Sequence, residues 1–215
     1  NPLDGPPDLR YRGAMKGKPD FYWRRSKRDG YPARSVYKLE EIQGKFSIIR
    51  PGSRVLDLGA APGSWSIYLI EIVGANAVTG VDLDAPDGAL LSRKGYAFIP
   101  GDFFSAEVMK RIEEAGPFDA VVSDAAPSTT GNRTTDTARS LEVGERVLFI
   151  AGRVLKVGGN LAMKIFQGGE ERRILESMRG FFDSARAFKP KASRRDSMEI
   201  YFVGLGFGRR QGEMQ

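Results

Sequence analysis

The sequence contains no cysteine and no histidine. Disulfides, thiolate metal sites, cysteine nucleophiles and imidazole-dependent mechanisms are thereby excluded. Proton handling falls to Lys, Asp, Glu, Tyr or water. No apolar run approaches the ~18 residues that span a bilayer. The start lacks the charged, apolar and small-residue pattern of a secretory leader. The expectation is a cytoplasmic protein with no membrane partner and no metal. Nothing in the sequence calls for an oligomer, and a monomer is expected.

The chain has 215 residues, 41% of them hydrophobic, enough for one domain with a substantial core. Its net charge of +6 is unevenly placed. Residues 1–38 hold ten Lys/Arg against four Asp/Glu, so the whole excess lies there. The densest part is Tyr22-Trp23-Arg24-Arg25-Ser26-Lys27-Arg28. A basic run interleaved with aromatic rings suits a polyanion with stackable bases. The plainer alternative is a solvated arm. Residues 1–30 show no periodicity and are expected to be a flexible basic arm. Residues 1–14, ahead of Met15, read as an added leader and stay outside the fold reasoning. A single domain over 31–208 and a short tail over 209–215 complete the division.

From residue 34 to 46, Val36, Tyr37, Leu39, Ile42 and Phe46 form one helical stripe. Strands then alternate with helices. The pattern predicts strands over 54–58, 77–82, 96–100, 120–123 and 160–166, and helices over 65–73, 106–114, 137–155 and 170–179. Two further strands, 185–188 and 199–205, close the chain. Alternation implies right-handed crossovers and a mostly parallel α/β sheet with helices on both faces. Two consecutive strands at the end imply one antiparallel strand, giving seven in all.

The stretch "VLDLGAAPGSW", Val55 to Trp65, is a strand entering a glycine turn. It is neither G-x-G-x-x-G nor a phosphate loop, since Ala61 stands at the second glycine and no Gly-Lys-Ser/Thr follows. Such turns hold ligands beyond the strand ends. Asp57 would repel a pyrophosphate and attract an ammonium. S-adenosylmethionine (SAM) carries an ammonium and a sulfonium and no phosphate. Gly59 and Gly63 would let the backbone approach its amino-acid part. Asp82 ends the second strand, placed to accept ribose hydroxyl hydrogens. Asp102 ends the third, placed to read an adenine amino group.

The fourth strand ends in Ser123-Asp124-Ala125-Ala126-Pro127. The Asn/Asp-Pro-Pro-aromatic pattern of amine methylation is missing, and carbon-5 pyrimidine methylation would need a cysteine. A hydroxyl acceptor remains. Lys164, inside the apolar run Leu161–Phe166, is costly to bury unless paired. Asp124 and Glu199 are its expected partners, with Lys38 nearby. A lysine snorkelling at a sheet edge is the alternative.

The stretches "ARSVYKLEEI", "VLDLGAAPGSWS", "GDF", "SDAAP", "MKIFQG" and "SRRDSMEIYFV" resemble the FtsJ/RrmJ family of SAM-dependent RNA ribose 2′-O-methyltransferases. The similarity covers residues 31–205. It implies a Rossmann-like methyltransferase fold and a catalytic tetrad on Lys38, Asp124, Lys164 and Glu199. The implied cofactor positions are Gly63, Trp65, Asp82, Asp102 and Asp124. The implied substrate is RNA, foremost a uridine 2′-hydroxyl in large-subunit (23S-type) ribosomal RNA, with S-adenosylhomocysteine as product. Transfer RNA is the second candidate substrate; a non-catalytic assembly factor and a nicotinamide enzyme are the rival classes. RNA contacts are expected from Arg24, Arg25, Lys27, Arg28, Arg34, Lys38, Arg194 and Arg195. Ser64 stands where bacterial members usually have glycine, and is expected to cap the following helix.

Lys164 has two open roles. A general base must be neutral, against an unperturbed lysine pKa of ~10.4. Its carboxylate partners favour the charged form, which would instead donate to a developing oxyanion.

Overall fold

The structure, a computed structural model, describes residues 20–74, 77–194 and 196–208. In chain order the elements are α1 (Phe21–Arg28), α2 (Val36–Phe46), β1 (Val55–Leu58), α3 (Ser64–Val73), β2 (Val78–Asp82), α4 (Gly88–Leu91), β3 (Tyr96–Pro100), α5 (Ala106–Ala115), β4 (Phe118–Ser123), α6 (Arg133–Val154), β5 (Leu155–Phe166), α7 (Glu171–Phe181), β6 (Phe182–Phe188) and β7 (Glu199–Phe207). They build one seven-stranded sheet in the order β3-β2-β1-β4-β5-β7-β6. Strands β1 to β5 pair in parallel, and β7 runs antiparallel between β5 and β6. Among the described residues no helix is long and apolar enough to cross a membrane.

Strand alternation divides the core in two. Leu56, Leu58, Val121, Leu161, Met163, Ile165 and Phe202 face α5, α6 and α7. Val55, Ala120, Val122, Ala162, Tyr201 and Val203 face α2 and α3, against Leu39, Ile42, Trp65 and Leu69. Leu39 and Ile42 are fully buried. Each contributes about 1.5–3 kcal/mol by leaving water, which seats α2 on the sheet.

The chain departs from expectation at its basic start. Residues 21–28 are helical where a flexible arm was expected. The Asp20 side chain accepts the Trp23 amide hydrogen at 2.8 Å and caps α1, and Arg25, Lys27 and Arg28 lie at its negative end. Tyr22 then packs its ring on Tyr37 of α2, 5.6 Å between centroids. Arg25 adds an ion pair to Glu40 and a contact with the Tyr37 ring, and eight residues held in this way are too short a segment for periodicity to reveal. Helix α4, one turn capped by Asp87, escapes notice for the same reason. Elsewhere the elements match, with β5 starting five residues earlier than expected and α6 starting four earlier.

Candidate active site

The carboxyl ends of β1, β2, β3, β4 and β5 open onto one pocket of about 810 Å³. Its lining is polarised. Asp82, Asp84, Asp102 and Asp124 gather at the tips of β2, β3 and β4, while Arg34, Lys38, Lys164 and Arg194 lie on the side of α2, β5 and the β6–β7 loop. The acidic part suits a cationic ligand and the basic part an anionic one.

At the first strand tip, Gly59 has φ 81°. A side chain there would lie 2.8 Å from the Ala125 backbone, so only glycine lets the tips of β1 and β4 close on each other. Gly63, at φ 114°, starts α3 against Leu90 and is not part of the pocket lining. Asp57 also differs from expectation. It is fully buried beneath the turn, on the α3 face of β1, and accepts the Ser66 hydroxyl at 2.6 Å. It is not among the residues that line the pocket. Burial, together with the charges of Asp124 and Asp82, pushes its carboxyl up to about 7 against the opposing Ser66 bond.

Asp82 and Asp102 do line the pocket. Asp82 takes the Ala61 amide at 2.9 Å on one oxygen and the Asp84 amide at 3.0 Å on the other. Each oxygen keeps a further lone pair for a hydrogen-bond donor. Burial raises its carboxyl, and the amide bonds oppose that rise. Asp102 takes the Phe104 amide on Oδ1 at 2.9 Å. Ser64 is not a cap: α3 has no side-chain cap bond, and Ser64 Oγ instead accepts the Ala33 amide at 2.6 Å. The Trp65 indole donates to the Ser35 carbonyl at 2.9 Å. These two bonds fix residues 33–35 and thereby the start of α2, which carries Lys38.

The four residues of the expected tetrad line the same pocket, but they pair differently from expectation. Lys164 Nζ donates to the Asp124 carbonyl at 2.5 Å and lies 3.1 Å from Asp124 Oδ1. Glu199 pairs with Lys38, both its oxygens at 2.7 Å from Nζ. Sheet register is the cause, because Tyr201 stands opposite Lys164 and Glu199 stands opposite Phe166, one pleat further out. Tyr201 links the two pairs. Its hydroxyl donates to Asp124 Oδ1 at 2.6 Å, and the Lys38 ammonium lies 6.0 Å from its ring. Burial acts to raise the Asp124 carboxyl, but Lys164, Lys38 and the Tyr201 bond outweigh it and hold the group below its usual range. Sequence reasoning passed over Tyr201, although period-two alternation from Glu199 puts it on the same face.

The expected RNA contacts separate into groups. Arg24, Lys27 and Arg28 are exposed on α1. Arg25 is not free: it pairs with Asp29 at 3.2 Å and Glu40 at 3.1 Å and lies 4.1 Å from the Tyr37 ring centre. Arg34 pairs with Asp20 and donates to the Ala192 carbonyl. Arg194 is exposed at the pocket rim, and Arg195 lies outside the described residues. The loop after β4 is fixed by buried Asp136, which accepts hydrogen bonds from the amides of Thr130 and Gly131 and from the Thr130 hydroxyl.

A sheet of this order with one reversed strand, and a ligand pocket across its carboxyl ends, defines a Rossmann-like methyltransferase. A family model described as FtsJ-like methyltransferase matches residues 31–207. The chain belongs to that family and is a methyltransferase. Ribosomal RNA large subunit methyltransferase E of Treponema denticola is 47% identical over 191 residues, which is 88% of this chain and 96% of that protein. The enzyme of the same name from Oleidesulfovibrio alaskensis is 43% identical over 196 residues, covering 90% of this chain and 94% of that one. Among solved structures, a Plasmodium falciparum protein described as a ribosomal RNA methyltransferase superposes with a TM-score of 0.69 at 25% identity, over 82% of this chain and 98% of that one. A fibrillarin/Nop5p complex shares the fold, with a TM-score of 0.61 at 22% identity, over 80% of this chain and 83% of that one.

Proposed function

We propose that the protein transfers the methyl group of S-adenosylmethionine to a ribose 2′-hydroxyl, that of a uridine in large-subunit ribosomal RNA. The observation that carries this is the Lys164–Asp124 pair at the boundary between the acidic and basic parts of the pocket. Bound SAM would supply an electrophilic methyl on a sulfonium, and its ammonium and sulfonium suit the acidic tips. Asp82 is placed for its ribose and Asp102 for its adenine. The names of the curated relatives support the ribosomal substrate.

In this reading the O–CH₃ bond forms as the S–CH₃ bond breaks, sulfur keeps the electron pair, and the hydroxyl proton is released. Asp124, held ionised, anchors Lys164. Two acceptors already take two of the positions around Nζ. The remaining one meets the attacking oxygen, as an N–H that steadies the developing alkoxide or as a lone pair that takes its proton. Lys38, fixed by Glu199, adds positive charge beside the same oxygen. Alignment of the two reactants carries most of the acceleration, up to ~7–11 kcal/mol in favourable cases.

The test is transfer of tritiated methyl from SAM to large ribosomal subunits of a deletion strain, with 2′-O-methyl sites mapped in the product. Lys164→Ala is expected to abolish transfer while SAM still binds. Full turnover by Lys164→Ala, or methyl on a base instead of a ribose, would overturn the reading.

A further inference from the structure

Phe166 is the last residue of β5 and shares a face with Lys164. Ile165, between them, points into the opposite core. The ring of Phe166 therefore sits one pleat beyond the Lys164 side chain, a step of about 6.6 Å along the strand. It lines the pocket beside Glu199, its register partner. Two other aromatic residues line the pocket, Trp65 and Phe103, and each is only 3% exposed and packed into the core. Phe166 is different. It belongs to neither half of the core, nor to the small cluster of Val36, Tyr37 and Ala192, and is only half-buried. Its backbone is nevertheless clamped, since its amide donates to Ser140 Oγ at 2.9 Å and the next amide, of Gln167, donates to the Met198 carbonyl at 2.8 Å. A ring on a fixed backbone that serves no core and faces the pocket has the properties of a stacking platform.

We infer that Phe166 is the surface on which the base of the target nucleotide stacks once that nucleotide is turned out of its surroundings into the pocket. This rests on the proposed 2′-O-transfer. The geometry follows from the nucleoside itself: the base is attached to the ribose carbon next to the one bearing the 2′ oxygen. An oxygen held at Lys164 puts its base one step outward, where Phe166 lies. Exposed Arg194 at the same rim is placed for the phosphate of that nucleotide. Glu199, opposite Phe166 on β7, is engaged by Lys38 at 2.7 Å on each oxygen. Recognition here is by the π-face, which every base has. The subsite positions the ribose and tolerates the identity of the base.

The experiment compares wild type, Phe166→Leu and Phe166→Trp in single-turnover transfer to RNA carrying the mapped target, with either its normal base or an abasic site there. SAM affinity and the melting temperature are measured alongside. Stacking of one base predicts that Phe166→Leu slows transfer by about 5- to 150-fold at unchanged SAM affinity, with Phe166→Trp within about threefold of wild type. The abasic substrate should slow wild type by a similar factor and Phe166→Leu by little more. Equal penalties for the abasic site in both proteins, or a Phe166→Leu rate equal to wild type, would overturn the subsite while leaving the methyl transfer intact. A wild type that transfers no methyl would overturn the function and the subsite together.

Discussion

Asp57 makes the sharpest test of the buried polar chemistry under the glycine turn. The group is fully buried, one oxygen takes the Ser66 hydroxyl, and the other has no hydrogen-bond partner among the described residues. The Tyr96 hydroxyl is likewise buried, and the charge of Asp57 acts on it. Its carboxyl is raised from 3.8 to about 7, chiefly by burial. A shift of about three units, at 1.36 kcal/mol each, corresponds to about 4 kcal/mol. The sign follows from proton binding. Between pH 4 and 7 the folded state holds a proton that the unfolded state has released, so this group favours folding at low pH. That contribution is complete below pH 4, declines as pH rises, and is gone above pH 7. Asp57→Asn keeps the shape and cannot titrate. Chemical denaturation of both proteins at intervals from pH 4 to 8, without ligand, gives the difference in unfolding free energy. Asn is expected to gain on Asp by up to about 4 kcal/mol across the range, with the change levelling off above pH 7. A difference that stays flat with pH would show that Asp57 ionises normally and that water reaches it in the folded protein.

Tyr201→Phe removes one hydrogen bond to an ionised carboxylate and leaves Lys164 in place. A bond of this type is worth ~1.5–3 kcal/mol, so single-turnover transfer should fall by roughly 10- to 150-fold with the fold intact by circular dichroism. Ser64→Ala strands the Ala33 amide beneath α2 and should cost ~1–3 kcal/mol of unfolding free energy, measured in denaturant. Charge reversal at Arg24, Lys27 and Arg28 should weaken RNA binding and flatten the plot of log affinity against log salt, by up to ~0.7 in slope for each phosphate no longer neutralised; an unchanged slope would make α1 a bystander. Reversal at Arg25 should instead lower the melting temperature, because that guanidinium is engaged with Glu40, Asp29 and the Tyr37 ring.

Much of the fold was legible because its signals are local in sequence and simple in form. Each parallel strand is a short apolar run, each crossover helix repeats at 3.6 residues, and each strand tip is marked by an acid or a glycine. Asp82, Asp102 and Asp124 could be placed on one edge from these marks alone, because parallel strands put all their carboxyl ends together. What stayed hidden was decided by contacts without periodicity. Helix α1 is held by the Asp20 cap, the Tyr22–Tyr37 contact and the Arg25 contacts with Glu40 and Tyr37, none of which leaves a repeat. Ser64 looked like a cap from its position at a helix start, but its hydroxyl is claimed by an amide from a segment thirty-one residues earlier in the chain. Asp57 looked like a ligand contact from its place near the turn. Alternation on β1 points it under α3 instead, where Ser66 meets it.

The pairing within the tetrad shows why residue types alone underdetermine a site. Two lysines and two carboxylates allow two sets of pairs, and the apolar run around Lys164 draws both carboxylates to that lysine in the sequence reading. The choice is made by register between β5 and β7, a relation between strands 35 residues apart. A shift of two residues would keep every side chain on its face, yet it would place Glu199 beside Lys164 and leave Lys38 without a partner. As built, each lysine has its own carboxylate, and Tyr201 stands between the pairs with its hydroxyl on Asp124. Asp124 and Glu199 therefore do different work. Asp124 sets the position of the amine nearest the strand tips. Glu199 holds the one on α2, where a buried lysine left unpaired would cost several kcal/mol and would turn away from the pocket. The second ion pair ties α2 to the pocket, and the bonds from Ser64 and Trp65 to the start of α2 hold it there.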